Sequence, residues 1–169
     1  MKTILIVLLA TLSSCGYHVA GKGSLLPPSL KTVSIPAFNN TTVRYKLTDV
    51  MPQAFAREFI ANTRYRVVTD PGQADMVLTG AIITYTNNPT IFDPVAQRAN
   101  VADLHVTLQV TLTERATGRI LFQRPAFEVK ESFQISPTPA EFFEESEPAI
   151  RRASERVAQL VVTAMLENF

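Results

Sequence analysis

The sequence has little of three things, and each shortage excludes a class of protein. Its single cysteine, Cys15, cannot close an intramolecular disulfide, which excludes a disulfide scaffold. Its formal net charge of +1 gives no long-range basic field, so we expect no nucleic-acid partner. It holds no apolar run of about 20 residues, the length that a membrane-spanning helix requires. What is present, 46% hydrophobic and 18% charged residues over 169 positions, is typical of one folded domain.

The start of the chain has the pattern of a secretory signal peptide. A positive charge at Lys2 precedes an apolar run over residues 4–12, which has the length of a signal core. A buried N-terminal helix is the alternative interpretation of this run. We predict a signal peptide over residues 1–14, a tether containing glycine and proline over 15–30, and a single domain over 31–169.

The residues before Cys15 resemble the lipobox of bacterial lipoproteins, in which small residues such as Ser13 and Ser14 precede the cysteine. The resemblance implies that Cys15 is lipidated and carries a covalent N-terminal diacylglycerol and an acyl chain. Two or more chains give stable attachment to a membrane. In enterobacterial lipoproteins an aspartate after the cysteine favours the inner membrane, so Gly16 implies an outer-membrane location. We expect no cofactor other than this covalent lipid.

Hydrophobic periodicity predicts an α+β fold for the domain. Helical spacing of apolar residues indicates an amphipathic helix over about 47–61, and a capping pattern at 138–141 begins a second helix, with a kink or restart at Pro148. Unbroken alternation over residues 104–113 indicates a strand with one core face and one polar face. The most economical arrangement is a two-layer sandwich: a mostly antiparallel sheet of four to five strands with two helices packed on one face.

The connections between these elements are also predicted from local sequence. Turn-forming residues indicate a turn at 39–42 and a hairpin turn at 114–118, where Gly118 suits a positive φ. We expect a bulge at Pro125 in the return strand. The polar segment 87–100 is interpreted as a loop.

We find no arrangement of residues typical of a catalytic or metal site. The two histidines and one cysteine do not have metal-ligand spacing, and the nucleophile elbow of hydrolases is absent. Acidic residues at the start of the second helix are explained by the helix dipole. We therefore expect no catalytic residue, no metal and no enzymatic activity. A periplasmic hydrolase that combines His105 with carboxylates and a nucleophile is kept as an alternative.

Short segments spread over the mature chain carry a family resemblance. They are Cys-Gly-Tyr-His at 15–18, Leu-Pro at 26–27, Val-Ser-Ile-Pro-Ala-Phe-Asn-Asn-Thr-Thr at 33–42, Leu-Thr at 47–48 and a strand opening at 73–80. Together they resemble the lipopolysaccharide-assembly lipoprotein family, LptE. The resemblance implies a non-enzymatic outer-membrane component that sits as a plug in the β-barrel protein LptD. It further implies that the chain supports assembly of LptD and helps to deliver lipopolysaccharide to the outer leaflet.

Two groups of residues are candidates for contact with a barrel partner. His105, Thr107 and Gln109 lie on the polar face of the alternating strand, which can pack against a polar barrel lumen without burying an unpaired charge. A solvated sheet face is the alternative. Ile91 and Phe92, at the tip of the predicted loop, are either partner anchors or part of the core.

Direct contact with lipopolysaccharide has fewer candidates. Recognition of its phosphates requires arginine or lysine. The candidates are Arg98 in the predicted loop and Lys130 on the strand that precedes the second helix. The role as a barrel plug is therefore better supported than binding of lipopolysaccharide. A lipoprotein adaptor of another cell-envelope complex, with no lipopolysaccharide contact, is the alternative function.

Overall fold

The computed structural model describes residues 26–93, 98–135 and 139–167, with the backbone alone at 92–93, 98–99 and 139–146. Within these residues the elements are, in chain order, β1 (Thr32–Ser34), β2 (Asn39–Asn40), α1 (Leu47–Asn62), β3 (Arg66–Val68), a 3₁₀ turn (Pro71–Gln73), β4 (Met76–Asp93), β5 (Arg98–Glu114), β6 (Ile120–Gln134) and α2 (Pro139–Glu167).

These strands form one sheet covered by two helices. The strand order is β3-β1-β4-β5-β6, and the short β2 also pairs with β4. The long strands β4, β5 and β6 are antiparallel neighbours, whereas β1 and β2 join β4 in parallel and β3 joins β1 in parallel. The predicted α+β class, with two helices and a mostly antiparallel sheet, is confirmed. The sheet has six strands because residues 39–40, expected within a turn, pair with Ala81 and Ile82 as β2.

The loop predicted over residues 87–100 is wrong. β4 continues to Asp93 and β5 begins at Arg98, so the two strands form one long hairpin. Asparagine and proline at 87–89 indicate a loop when considered locally, but pairing with β5 overrides that preference. The register shifts directly after Pro89, and an irregular strand position is where a sheet tolerates proline.

The other turn signals have mixed outcomes. Gly118 has φ +70 and ends the hairpin turn between β5 and β6 as predicted. The predicted bulge is confirmed, because the pairs Leu108–Phe127 and Val110–Arg124 leave two residues of β6, Pro125 among them, opposite one of β5. The restart offered for Pro148 is not observed, since α2 runs through it as one helix.

The core lies between the helices and one face of the sheet. β5 contributes every second residue, namely Ala102, Leu104, Val106, Leu108, Val110 and Leu112. α1 packs there with Leu47, Met51, Ala54, Phe55 and Phe59, and α2 with Ala149, Ala153, Val157, Ala158, Val161 and Val162. Leu26 and Leu30 are also buried in this cluster, so packing begins within the segment interpreted as a tether. The boundary at residue 31 stays a prediction.

Phe38, in the longest of the resemblance segments, has a structural role. It is buried, and its ring centroid lies 5.5 Å from that of Phe55 on α1. Its ring also lies against Gly80 on β4, where an added Cβ would overlap the ring carbons. The close approach of helix and sheet here therefore depends on glycine at position 80.

Candidate partner interface

The faces of β4 and β5 that point away from the helices are built largely from threonine. Thr84 Oγ1 donates to Thr107 Oγ1 at 2.7 Å across these strands, and Thr79 Oγ1 donates to the Thr111 carbonyl oxygen at 3.3 Å. Threonine is stiff at χ1, so a surface of this kind loses little side-chain entropy when it docks. We name this surface the threonine face, and its threonines are Thr79, Thr84, Thr86, Thr107, Thr111 and Thr113.

Charges near the threonine face partly compensate one another. Lys130 Nζ lies 2.7 Å from Asp103 Oδ2, and Ser132 Oγ donates to Asp103 Oδ1 at 2.6 Å. These hydrogen bonds, the one from Lys130 first, hold the pKa of Asp103 below its usual value. Glu128, opposite Thr107 on β6, is exposed. A mostly uncharged polar face costs less to remove from water than a charged one, which favours its use as an interface.

The three sequence-predicted residues on β5 lie together on this face. His105 is exposed between Thr86 of β4 and Lys130 of β6, while Thr107 and Gln109 are partly exposed along the same strand. The structure thus brings them into one row. Their contact with a partner stays a prediction.

The remaining predicted site residues are distributed along the chain. Ile91 is 53% exposed near the end of the β4–β5 hairpin, so the alternative that it folds back onto the core is wrong. The side chains of Phe92 and Arg98 and all of Cys15 lie outside the described residues. Of the two predicted cationic contacts, only Lys130 has a described side chain, and its charge is paired with Asp103.

Sequence reasoning missed an exposed apolar pair in the loop between β2 and α1. In residues 41–46, which we name the prong loop, Val43 is 91% exposed and Tyr45 is 76% exposed. Arg44 between them lies over the Tyr85 ring, with its Cζ 5.3 Å from the ring centroid. The available signal was the alternation of two large apolar residues with arginine in an otherwise polar connection.

The prong loop is held in place by the side chain of Asn40 at the end of β2 and by its own backbone. Asn40 Nδ2 donates to the Arg44 carbonyl oxygen at 2.8 Å, and Asn40 Oδ1 accepts from the Thr42 amide at 2.8 Å. The Thr41 amide donates to the Ile82 carbonyl oxygen at 3.1 Å, which fixes the loop to β4. The apolar pair is therefore presented in an ordered loop, so a partner that binds it loses little entropy in ordering it.

Comparison with protein families identifies the lineage of this fold. The family model described as LptE, Lipopolysaccharide-assembly, matches residues 30–165. The chain belongs to the LptE family. No curated protein sequence matches this LptE-family chain.

Solved structures share the fold of the LptE-family chain at low sequence identity. Rare lipoprotein B from Shewanella oneidensis has a TM-score of 0.51 and 13% identity, covering 82% of this chain and 96% of its own. A minor lipoprotein from Acinetobacter baumannii has a TM-score of 0.52 and 14% identity, covering 84% and 95%. PelC from Paraburkholderia phytofirmans, which forms a dodecamer, has a TM-score of 0.51 and 12% identity, covering 81% and 90%. At these identities the likeness shows the fold alone.

The LptE-family chain has contacts around His105 that differ from those of a hydrolase. Asp103 and Ser132 bond to each other, and within the described part of the chain no hydrogen bond joins either of them to His105. Over the same residues, His, Cys, Asp and Glu form no group of three or more with metal-binding geometry. Nor is any described helix long and apolar enough to span a membrane. Among the described residues, His105 therefore does not form the hydrogen-bonded nucleophile and base pair that the hydrolase alternative requires.

Proposed function

We propose that this chain is an outer-membrane lipoprotein, attached at the periplasmic face through lipid on Cys15, that plugs an LptD β-barrel. In this role it supports assembly of the barrel and takes part in the transport of lipopolysaccharide to the outer leaflet. Membership of the LptE family supports the general role in lipopolysaccharide assembly.

The observation that carries the proposal is the threonine face. A plug must bury surface against the lumen of a barrel, and barrel lumens are polar. Long strands that present threonine together with uncharged polar residues such as Gln109 suit such a lumen. Hydroxyl groups both donate and accept hydrogen bonds, and removing them from water costs little when they are paired. A lumen can satisfy these groups without having to neutralise a strong charge.

The prong loop supports the same proposal. It lies at the edge of β4 opposite β5, where β2 pairs. Exposed aromatic residues are enriched among the residues that dominate binding energy at interfaces, and Tyr45 is an aromatic side chain held in an ordered loop. Val43 beside it adds apolar area. Together they provide an exposed apolar anchor, the kind of group that occupies the centre of an interface.

Direct binding of lipopolysaccharide has weaker support than the plug role. Lys130 is 2.7 Å from a carboxylate oxygen of Asp103, so an incoming phosphate would have to compete with that ion pair. Support for transport therefore comes through the barrel rather than through Lys130.

Purification of the lipidated chain in mild detergent tests the proposal. We expect a large β-barrel protein to remain bound and to be identified by mass spectrometry. Recovery of the chain alone, under conditions that keep the barrel folded, would contradict it. Recovery with a different envelope protein would instead support the alternative of an adaptor in another complex.

A further inference from the structure

Three cations surround an open pocket at the end of the sheet where β4 begins. The pocket has a volume of about 410 Å³ and is lined by Pro28, Leu30, Lys31, Arg64 and Arg66. The three basic side chains are exposed, whereas Leu30 is buried beneath them. We name this group the basal pocket. It lies at the opposite end of the 18-residue β4 from the hairpin end, a separation of roughly 55–60 Å.

The charges of the basal pocket are uncompensated. Among the described side chains, none of its three cations forms an ion pair, although five other cations of the chain do. Asp75 contacts this end of the sheet, but its Oδ2 accepts from the amides of Lys31 and Thr32 and from the Thr32 hydroxyl. The pocket therefore presents positive charge to whatever approaches it.

One of the cations is oriented by its neighbours. The Cζ of Arg64 lies 5.5 Å from the ring centroid of Tyr65, and Arg64 Nη2 donates to the Leu26 carbonyl oxygen at 3.5 Å. A guanidinium held over an aromatic ring keeps its remaining N–H groups available for an anion. Leu26 belongs to the segment 15–30 interpreted as a tether, so this cation contacts the tether directly.

The length of the tether limits how far the basal pocket can be from the membrane. Eleven residue steps separate Cys15 from Leu26, and a fully extended chain covers about 3.3–3.6 Å per step. The pocket therefore lies within roughly 40 Å of the acyl chains. The hairpin end is a further β4 length along the sheet, so the basal pocket is much nearer than the hairpin to the point where the tether joins the domain.

We propose that Lys31, Arg64 and Arg66 dock the domain onto the phosphate headgroups of anionic phospholipids in the membrane that holds the anchor. The proposal rests on the lipid anchor at Cys15 given in the proposed function. Each basic side chain near an anionic surface strengthens binding about fivefold, so three contribute on the order of a hundredfold. The contact adds a salt-sensitive attachment to the one that the acyl chains provide, and it places the basal end of the sheet at the membrane surface.

Energy transfer from the domain to the membrane tests this orientation. The lipidated chain, labelled at Ser29→Cys beside the pocket, is reconstituted into phosphatidylcholine vesicles that contain an acceptor-labelled lipid, with and without phosphatidylglycerol. We expect transfer to rise when phosphatidylglycerol is present and to fall again in high salt. The variant Lys31→Gln/Arg64→Gln/Arg66→Gln is expected to lose this increase.

A charge-matched variant and a soluble anion separate the possible outcomes. Arg124→Gln/Arg151→Gln/Arg156→Gln removes three exposed cations elsewhere and should keep the increase; an equal loss in both variants overturns a localised site. Inorganic phosphate is added and compared with a salt of the same ionic strength. If phosphate alone abolishes the increase in transfer, the pocket is a site for free phosphate, and membrane docking is overturned. If the protein incorporates into vesicles but its energy transfer does not change with phosphatidylglycerol, this inference alone is overturned. If the protein does not incorporate into vesicles, the proposed lipid anchor is overturned as well.

Discussion

Gly80 and Phe38 set the distance between the sheet and the helix layer at one point. Because a Cβ at position 80 would overlap the Phe38 ring, Gly80→Ala forces the ring or β4 to move. We expect the free energy of unfolding to fall by about 1–3 kcal/mol, the usual cost of overpacking a core. Urea unfolding of the variant measures the change.

The control for this prediction is Gly118→Ala. At Gly118 a Cβ meets nothing within 4 Å, so the cost there comes only from φ +70 and is about 1 kcal/mol. In the Gly80→Ala background, Phe38→Leu should cost less than it does in the wild type, because it relieves the overlap. Equal costs of Phe38→Leu in both backgrounds would show that Gly80 is not constrained by Phe38.

Asp75 joins the start of β4 to β1 through three hydrogen bonds. Its Oδ2 accepts from the Lys31 amide at 2.8 Å and from the Thr32 amide and hydroxyl at 3.0 Å. These donors, the Lys31 amide first, hold the pKa of Asp75 below its ordinary value of 3.8. Since the folded state has the lower pKa, the stabilisation is complete above the unfolded pKa. It is lost as the pH falls through the folded pKa.

Asp75→Asn keeps an oxygen acceptor but removes the charge. We expect it to lower the free energy of unfolding by roughly 1–2 kcal/mol at neutral pH, and the difference from wild type to shrink below pH 3.8. Urea titrations at neutral and acid pH measure both effects. Glu128→Gln, which removes an exposed carboxylate on β6, should change little at either pH. A difference for Asp75→Asn that grows on acidification contradicts this account.

At the scale of elements, the prong loop is ordered but is not needed for the core. Val43→Ser/Tyr45→Ser should leave the free energy of unfolding within about 0.5 kcal/mol of wild type, because both side chains are exposed. The amount of barrel protein that co-purifies with this variant should be at least tenfold lower than with the wild type. The matched control is Ile60→Ser, which removes a 66% exposed residue on α1 and should retain the barrel. Full recovery of the barrel with the loop variant would exclude the loop from the interface.

Elements with strong local signals could be predicted from the sequence, and those made by long-range pairing could not. The helix expected over 47–61 is Leu47–Asn62, because apolar spacing along a helix is a local property. The hairpin beyond residue 87 was missed because its pairing with β5 overrides the turn preference of Asn87, Asn88 and Pro89. β2 was missed for the same reason, since it exists only through its pairing with β4.

At the scale of the whole molecule, the surfaces proposed to bind partners follow from the topology. Alternation on β5 predicted one polar face, but only the register of β4 beside it shows that threonines meet across the strands, as Thr84 and Thr107 do. The basal pocket combines residues that lead into β1 with residues at the start of β3, which are far apart in the sequence. Neither surface follows from a local motif. Of the two surfaces, only the candidate residues on β5 could be predicted from the sequence alone.

The proposed packing of the threonine face against a barrel lumen is tested most directly by site-specific photocrosslinking in membranes. A photoreactive residue at Thr107 reports on the threonine face, and one at Gln159, exposed on α2, reports on the helix layer. We expect Thr107 to crosslink to a large β-barrel protein. A crosslink to the barrel from Gln159 without one from Thr107 would contradict the account.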